Sequence, residues 1–247
     1  MSDKEPVPHE EGESFIPIPI PEYSGILRNH IVEIPKPIEK CGGIRIFGRL
    51  VKSLIFSTDI AIIRNTNADA VLAVYPFTPQ PIITHALIMA SDIPVFCGVG
   101  GGTTTGNRVV HLASDAEFQG AFGVVLNSPT VNSTIKKVAE IIDIPIVITV
   151  VSESDDIAGR LEAGAAILNI SAAAKTPFVV EKVRAKFPET AIIATGGSSD
   201  QLITDTVSAG ADAIIWTPPT TGQIFKDMMA RYRNQTEKKK GLSFWRW

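Results

Sequence analysis

From Ser53 onward, short apolar runs rich in β-branched residues alternate with longer runs whose apolar positions recur three and four residues apart. The first kind suits strands buried on both faces, and the second suits amphipathic helices packed by one side. Read this way, strands fall at 53–57, 70–75, 94–97, 122–127, 145–151, 166–171, 191–195 and 211–216. Helices fall between them at 59–67, 79–91, 107–119, 131–142, 155–163 and 177–187. A seventh runs from a cap among Ser198 to Asp200 as far as Gly210, and the last covers 223–233. Gly164 and Gly210 stand where helices must stop, and Pro177 where one starts.

Strand–helix pairs joined by connections this short admit two right-handed parallel architectures. Regular alternation without a long break predicts an α/β fold of the closed (β/α)8 TIM-barrel type. An open doubly wound sheet, whose strand order reverses once, is the alternative. The 247 residues match the roughly 250 of one barrel domain. Residues 44–234 are assigned to the barrel, with Ile44 to Phe47 as a short strand or lid ahead of it. Function in such a barrel sits at the carboxyl ends of the strands, so those positions are the ones to search.

The stretch from Thr190 to Pro219 is the most informative. An apolar run ends in Ala194-Thr195-Gly196-Gly197-Ser198, an amphipathic run follows, and a second apolar run ends in Trp216-Thr217-Pro218-Pro219. The first turn resembles that after strand seven of the phosphate-binding TIM barrels. That group includes ribulose-phosphate epimerases, indole-glycerol-phosphate and histidine-pathway barrels, N-acylmannosamine-phosphate epimerases and thiazole synthase. There the Gly-Gly turn offers backbone N–H groups to a phosphate, and a Gly-Ser or Gly-Thr after strand eight supplies the rest. The resemblance implies that Gly196, Gly197 and Ser198, with Thr217, hold a phosphate, and that the chemistry is isomerisation or lysis of a sugar phosphate. The second half departs from the pattern, because Pro218 and Pro219 have no N–H to donate.

Ionisable groups are scarce at the predicted strand ends, where hydroxyls, amides and glycines dominate. Asp59 is the foremost carboxylate. It directly follows the first strand and could take a proton from a substrate carbon, or equally serve as the N-cap of the first helix. The run Gly98 to Gly106 contains Gly100, Gly101, Gly102 and Thr103, whose backbone freedom and hydroxyl suit an anion nest, with Arg108 neutralising the charge. The alternative is a flexible loop with Arg108 in solvent. Asn127 and Asn169 end their strands and offer amides to the same ligand. Cys97 is a nucleophile candidate or a small buried hydrophobe. No strand carries a lysine in its carboxyl half for a Schiff base, and Lys175 in a loop is the nearest. No metal spacing and no cofactor fingerprint occurs, so neither a metal nor a cofactor is expected. A small anionic metabolite is therefore the expected partner, bound by an isomerase or lyase. A non-catalytic ligand sensor or oligomeric scaffold on the same fold is the rival.

Composition narrows the setting. Hydrophobic residues make up 45% and charged residues 20%, an ordinary globular balance, and the net charge of −3 argues against a nucleic-acid-binding body. Two cysteines in unrelated contexts suit a reducing compartment. The start lacks the apolar stretch of a signal peptide and no run is long enough to cross a bilayer, so a cytoplasmic protein is expected.

The two ends stand apart from the barrel. Residues 1–43 form a proline-rich arm, expected to be disordered before Phe15. Phe15-Ile16-Pro17-Ile18-Pro19-Ile20-Pro21 is expected to lie extended on this barrel or on a neighbour's, which points to a homo-oligomer. Residues 235–247 form a basic, aromatic tail suited to an anionic membrane surface or to a partner's groove that takes aromatic side chains, or to folding back on its own barrel or on a dimer mate.

Overall fold

The computed structural model describes residues 32–197 and 199–243, with Pro19 and Pro21; from 235 to 243 it describes the helix backbone alone. Ser198, the Ile-Pro arm apart from those two prolines, and residues 244–247 lie outside the described residues. The chain divides into two units, Met1–His30 and Ile31–Trp247, and the barrel belongs to the second.

A two-stranded hairpin comes first, β1 (Ile44–Ile46) and β2 (Arg49–Val51), antiparallel and joined by Phe47 and Gly48. Both turn residues have positive φ, 45° and 81°, as a two-residue turn matched to the twist of the strands requires. Eight parallel strands follow: β3 (Ser53–Phe56), β4 (Ala70–Ala73), β5 (Val95–Gly100), β6 (Gly123–Leu126), β7 (Ile146–Val150), β8 (Ile167–Ile170), β9 (Ala191–Thr195) and β10 (Ala213–Trp216). They pair in chain order, and β10 pairs with β3 through Ile214 with Ser53 and Trp216 with Ile55, so the sheet closes. The architecture is the TIM barrel that the alternation predicts, and the open doubly wound alternative is excluded by that closure.

Helices separate the strands: α1 (Ile60–Ile63), α2 (Pro81–Ala90), α3 (Asn107–Phe118), α4 (Asn132–Ala139), α5 (Ile157–Glu162), α6 (Thr176–Lys186), α7 (Asp200–Ser208) and α8 (Thr221–Ser243). Most ends lie within two residues of the predicted ones. Three differences matter. The first helix is one turn, because Asn65 bends its side chain back onto the carbonyl of Ala61 and the chain then leaves to pair Thr66 with Val32. Strand β5 continues to Gly100, three residues into the predicted glycine loop, slipping register between Gly98 and Gly100. The last helix runs to Ser243, well past the predicted end at 233.

The predicted arm boundary at 43 also moves. Val32 is hydrogen-bonded to the loop of Asn65 and Asn67, and Ile38, in a 3-10 turn at Lys36–Lys40, is fully buried. That turn packs against α7. Residues 32–43 therefore belong to the body, since a fully buried isoleucine contributes about 1.5–3 kcal/mol.

Strand side chains alternate between two cores. One face meets the helices, as with Ile55, Val71, Cys97, Val124, Ile148, Leu168, Ile192 and Ile214. The other fills the barrel, as with Leu54, Leu72, Phe96, Val125, Val147, Ile167, Ile193 and Ile215. Ile46 and Val51 of the hairpin belong to this inner core, so β1 and β2 form the floor at the amino-terminal end and not a lid. An edge-to-face stack of Phe47 on Phe122 and Phe122 on Phe96, centroids 5.4 and 5.7 Å apart, joins the hairpin tip to the barrel centre. Phe96 is fully buried, and truncating it to alanine is expected to cost about 3–5 kcal/mol. With the floor stoppered, the carboxyl-terminal mouth is the open end of the interior.

Candidate functional site

The alternation that fills the barrel also decides what the mouth presents. One step of two beyond the inner layer come Phe56, Val74, Gly98, Asn127, Thr149, Asn169 and Thr195. None is ionisable. Asn169 is buried; its amide donates to the Thr149 hydroxyl at 3.4 Å and its carbonyl accepts from the Thr195 hydroxyl at 3.2 Å. Gly98 contributes no side chain, and a Cβ there would lie 3.1 Å from Val74 Cγ2, so this side of the mouth stays open. Thr149 completes this cluster, and sequence reading did not single it out. Counting by twos from the buried Val147 would have found it.

Asp59 stands on the rim, partly exposed. Its Oδ1 accepts the Ala61 amide at 2.9 Å and the Ile62 amide at 3.4 Å, capping α1, while its Oδ2 accepts the Thr221 hydroxyl at the start of α8. The Thr221 hydroxyl is the main reason its carboxyl lies below the usual range; burial opposes, and the amides of Ile62 and Ala61 add to the lowering. Asp59 is thus an ionised carboxylate already used at both oxygens, tying the loop after β3 to the loop after β10.

Three cavities open around this rim. Asp59, Ser57, Thr58, Tyr75, Asn127 and Thr217 share one of about 480 Å³. Gly100, Gly101, Gly102, Thr103 and Asn127 share one of about 200 Å³. Gly196, Gly197, Thr217, Thr220, Gln223 and Lys226 share the largest of the three, about 830 Å³, which Asp227 also lines. Asn127 and Thr217 each border two of them. The predicted ligand residues therefore line separate cavities, with the Gly100–Thr103 set and the Gly196–Gly197 pair in different ones, and Arg108, exposed on the first turn of α3, lines none of the three.

The glycine loop is built more firmly than a free lid. The Gly101 amide donates to the Thr104 carbonyl at 3.0 Å, and Asn127 donates its backbone amide to Gly100 and its side-chain amide to Gly101, both at 2.9 Å. Gly101 has φ +91°, and a Cβ there would meet Thr130 Oγ1 at 2.5 Å and the Asn127 backbone at 2.7 Å. Only glycine fits. The Asn127 loop is held from behind by Arg160, which is buried and donates to the Ser128 carbonyl at 2.7 Å and the Thr130 carbonyl at 3.5 Å. Arg160 was missed by sequence reading, since an arginine on a helix gives no sign that it turns inward.

The Gly-Gly turn behaves differently from a two-amide phosphate cradle. Gly196 donates its N–H to the Ile215 carbonyl at 2.8 Å as the last rung between β9 and β10. Pro218 and Pro219 offer none. Gly197 packs so closely on Leu202 that an added Cβ would lie 1.9 Å from Leu202 Cδ2. The cation of this cavity is Lys226, one turn into α8, which sequence reading did not single out.

Cys97 is buried on the helix-facing side of β5, and burial pushes its thiol up to about 12. A thiol so raised holds its proton at neutral pH, which leaves Cys97 the role of a small hydrophobe. Among the described residues, no three His, Cys, Asp or Glu side chains gather as a metal site, and no helix is long and apolar enough to cross a membrane.

No family model and no curated protein matches the sequence. Solved structures do match by shape. A barrel assigned as a phosphonomutase from Burkholderia cenocepacia aligns with 74% of this chain and 93% of its own, at 15% identity and TM-score 0.59. A phosphonopyruvate hydrolase aligns over 78% and 84%, at 13% identity and TM-score 0.56. The dihydrodipicolinate synthase DapA-2 of Bacillus anthracis aligns over 76% and 77%, at 16% identity and TM-score 0.52. At these identities the likeness establishes the TIM-barrel fold, and the chemistry rests on the site.

Proposed function

We propose that this chain binds a small phosphorylated or otherwise anionic metabolite at the carboxyl-terminal mouth and acts on it as an isomerase or lyase. The observation that carries the reading is the 830 Å³ cavity between the Gly196–Gly197 turn and the first turns of α8, with Lys226 in its wall. Lys226 supplies the charge for the anionic end, Gly197 the close backbone approach, and the neutral amides and hydroxyls of Asn127, Thr149, Asn169 and Thr195 suit the hydroxyl or carbonyl groups of the remainder. The phosphonopyruvate hydrolase that shares the fold was crystallised with oxalate, a small dianion.

A specific observation favours a second reading, a non-catalytic sensor of the same ligand. A general base works best with a pKa near the operating pH. Asp59, the carboxylate predicted to act as that base, is shifted the other way.

Calorimetric titration of the protein with inorganic phosphate, aldose and ketose phosphates and small 2-oxo acids tests both. Gly197→Val and Lys226→Gln are each expected to weaken the ligand that binds by about tenfold or more, roughly 1.4 kcal/mol, with the melting temperature nearly unchanged for Lys226→Gln. Affinity unaltered in both variants would sink the anion reading. Binding without turnover across the panel would select the sensor.

A further inference from the structure

Helix α8 is placed unlike an outer barrel helix. Ile224 packs against the core between barrel and helices, but Phe225, Met228, Met229 and Tyr232 are 64%, 41%, 39% and 53% exposed. At 3.6 residues per turn these four fall on one face of the helix. Lys226 and Arg233 border that face on one side and Arg231 on the other, while Asp227 lies across from it. The sequence beyond continues Lys238, Lys239, Lys240, Phe244, Trp245, Arg246 and Trp247. From Thr221 to the end there are seven Lys and Arg against two Asp and Glu, a net +5; the whole chain carries −3, so residues 1–220 carry −8.

We propose that α8 is a membrane-surface helix that docks the barrel on anionic phospholipid. Its apolar face dips shallowly among the headgroups, Arg231, Arg233 and the lysines beyond them reach lipid phosphates and carboxylates, and the terminal tryptophans suit the same layer. The asymmetry of charge orients the molecule, with the acidic body held away from the anionic surface and the basic helix towards it.

A second copy of the chain is the competing occupant, and the area disfavours it. Each of the four side chains offers at most about 200 Å² and is roughly half exposed. Together they give about 400 Å², half of the ~800 Å² per partner of a standard interface.

The test uses the full chain, sedimented with vesicles of phosphatidylcholine alone or mixed in equal parts with phosphatidylserine. Pelleting with the mixed vesicles only, weakened by added salt, is the expected result. Replacing Lys238, Lys239 and Lys240 with glutamine is expected to weaken partitioning by on the order of a hundredfold, about fivefold per lysine. Phe225→Ser with Met228→Ser tests the stripe separately and should weaken it further while tryptophan emission loses its vesicle-induced blue shift. Circular dichroism melting confirms that both variants remain folded. Absence of pelleting with the mixed vesicles overturns the proposal, as does equal pelleting with pure phosphatidylcholine. So does a particle mass that falls in the lysine variant with no lipid present, which would assign the helix to a second copy.

Discussion

Replacing Asp59 with alanine removes hydrogen bonds on both sides of the seam between the first and last barrel strands: the Ala61 and Ile62 amides of α1 and the Thr221 hydroxyl of α8. Loss of the N-cap alone costs about 1 kcal/mol. The bond to Thr221 is charge-assisted, but the carboxylate is partly exposed, and solvent screening reduces such a pair to roughly 0.5–1 kcal/mol. The sum, about 1.5–2 kcal/mol, corresponds to roughly 3–8 °C of melting temperature for a chain of this size.

The pH dependence gives the sharper check. Hydrogen bonding, led by Thr221, lowers the folded-state pKa of Asp59, so the unfolded chain binds the proton more readily. Its contribution is therefore fully present above the ordinary aspartate value of about 3.9 and is lost as pH falls through the lower folded value. Urea titrations of the parent and of Asp59→Ala are expected to differ by a constant amount around neutral pH, and to converge below about pH 4. Thr221→Val, alone and combined with Asp59→Ala, isolates the seam bond, with a coupling of roughly 0.5–1 kcal/mol. A stability gap that persists undiminished in acid, or strictly additive single variants, would refute the account of Asp59 as a tie between two helix starts.

Two further substitutions probe the loops that shape the mouth. Gly101→Ala places a Cβ against the Asn127 backbone at positive φ, with an expected loss of about 2–3 kcal/mol; Gly102→Ala, also at positive φ but with nothing within 4 Å, should lose only about 1 kcal/mol, both measured by chemical denaturation. Arg160→Met leaves the Ser128 and Thr130 carbonyls without their buried donor, and a destabilisation of about 1–3 kcal/mol is expected, which Arg160→Lys should not restore because one ammonium cannot reproduce the planar fork.

The barrel was legible because its information is local and repeated. A strand such as Ala191 to Thr195, buried on both faces and closed by glycines, gives the same signal whichever neighbour it pairs with. What decided closure over an open sheet was the number of such units and their short links. The missed features are those where a side chain or a hydrogen bond overrides the local pattern. Asn65 ends α1 early by turning onto its own helix carbonyl. Ile44 to Phe47 was legible only as a short strand or lid; its partner strand, and its place below the barrel, depended on Ile46 and Val51 entering the inner core.

The site was legible to a lesser degree, and Gly196 and Gly197 show why. As a sequence motif the two are equivalent donors. In the fold, the strand has not finished at Thr195: the Gly196 amide still serves the ladder to Ile215, and one residue later the chain is free of it. Of the three amides expected from Gly196, Gly197 and Ser198, that of Gly196 is therefore already taken, and on the proposed reading more of the positive potential would come from elsewhere. Lys226 borders the same cavity, beside Asp227, and is the cation that would supply it. The carboxylate of Asp59 meanwhile occupies the first turn of α8 at Thr221, where a ligand phosphate would otherwise find its second set of donors. On the proposed reading, an anion would approach from the Gly197 and Lys226 side, with its uncharged end towards the amides and hydroxyls of the barrel interior.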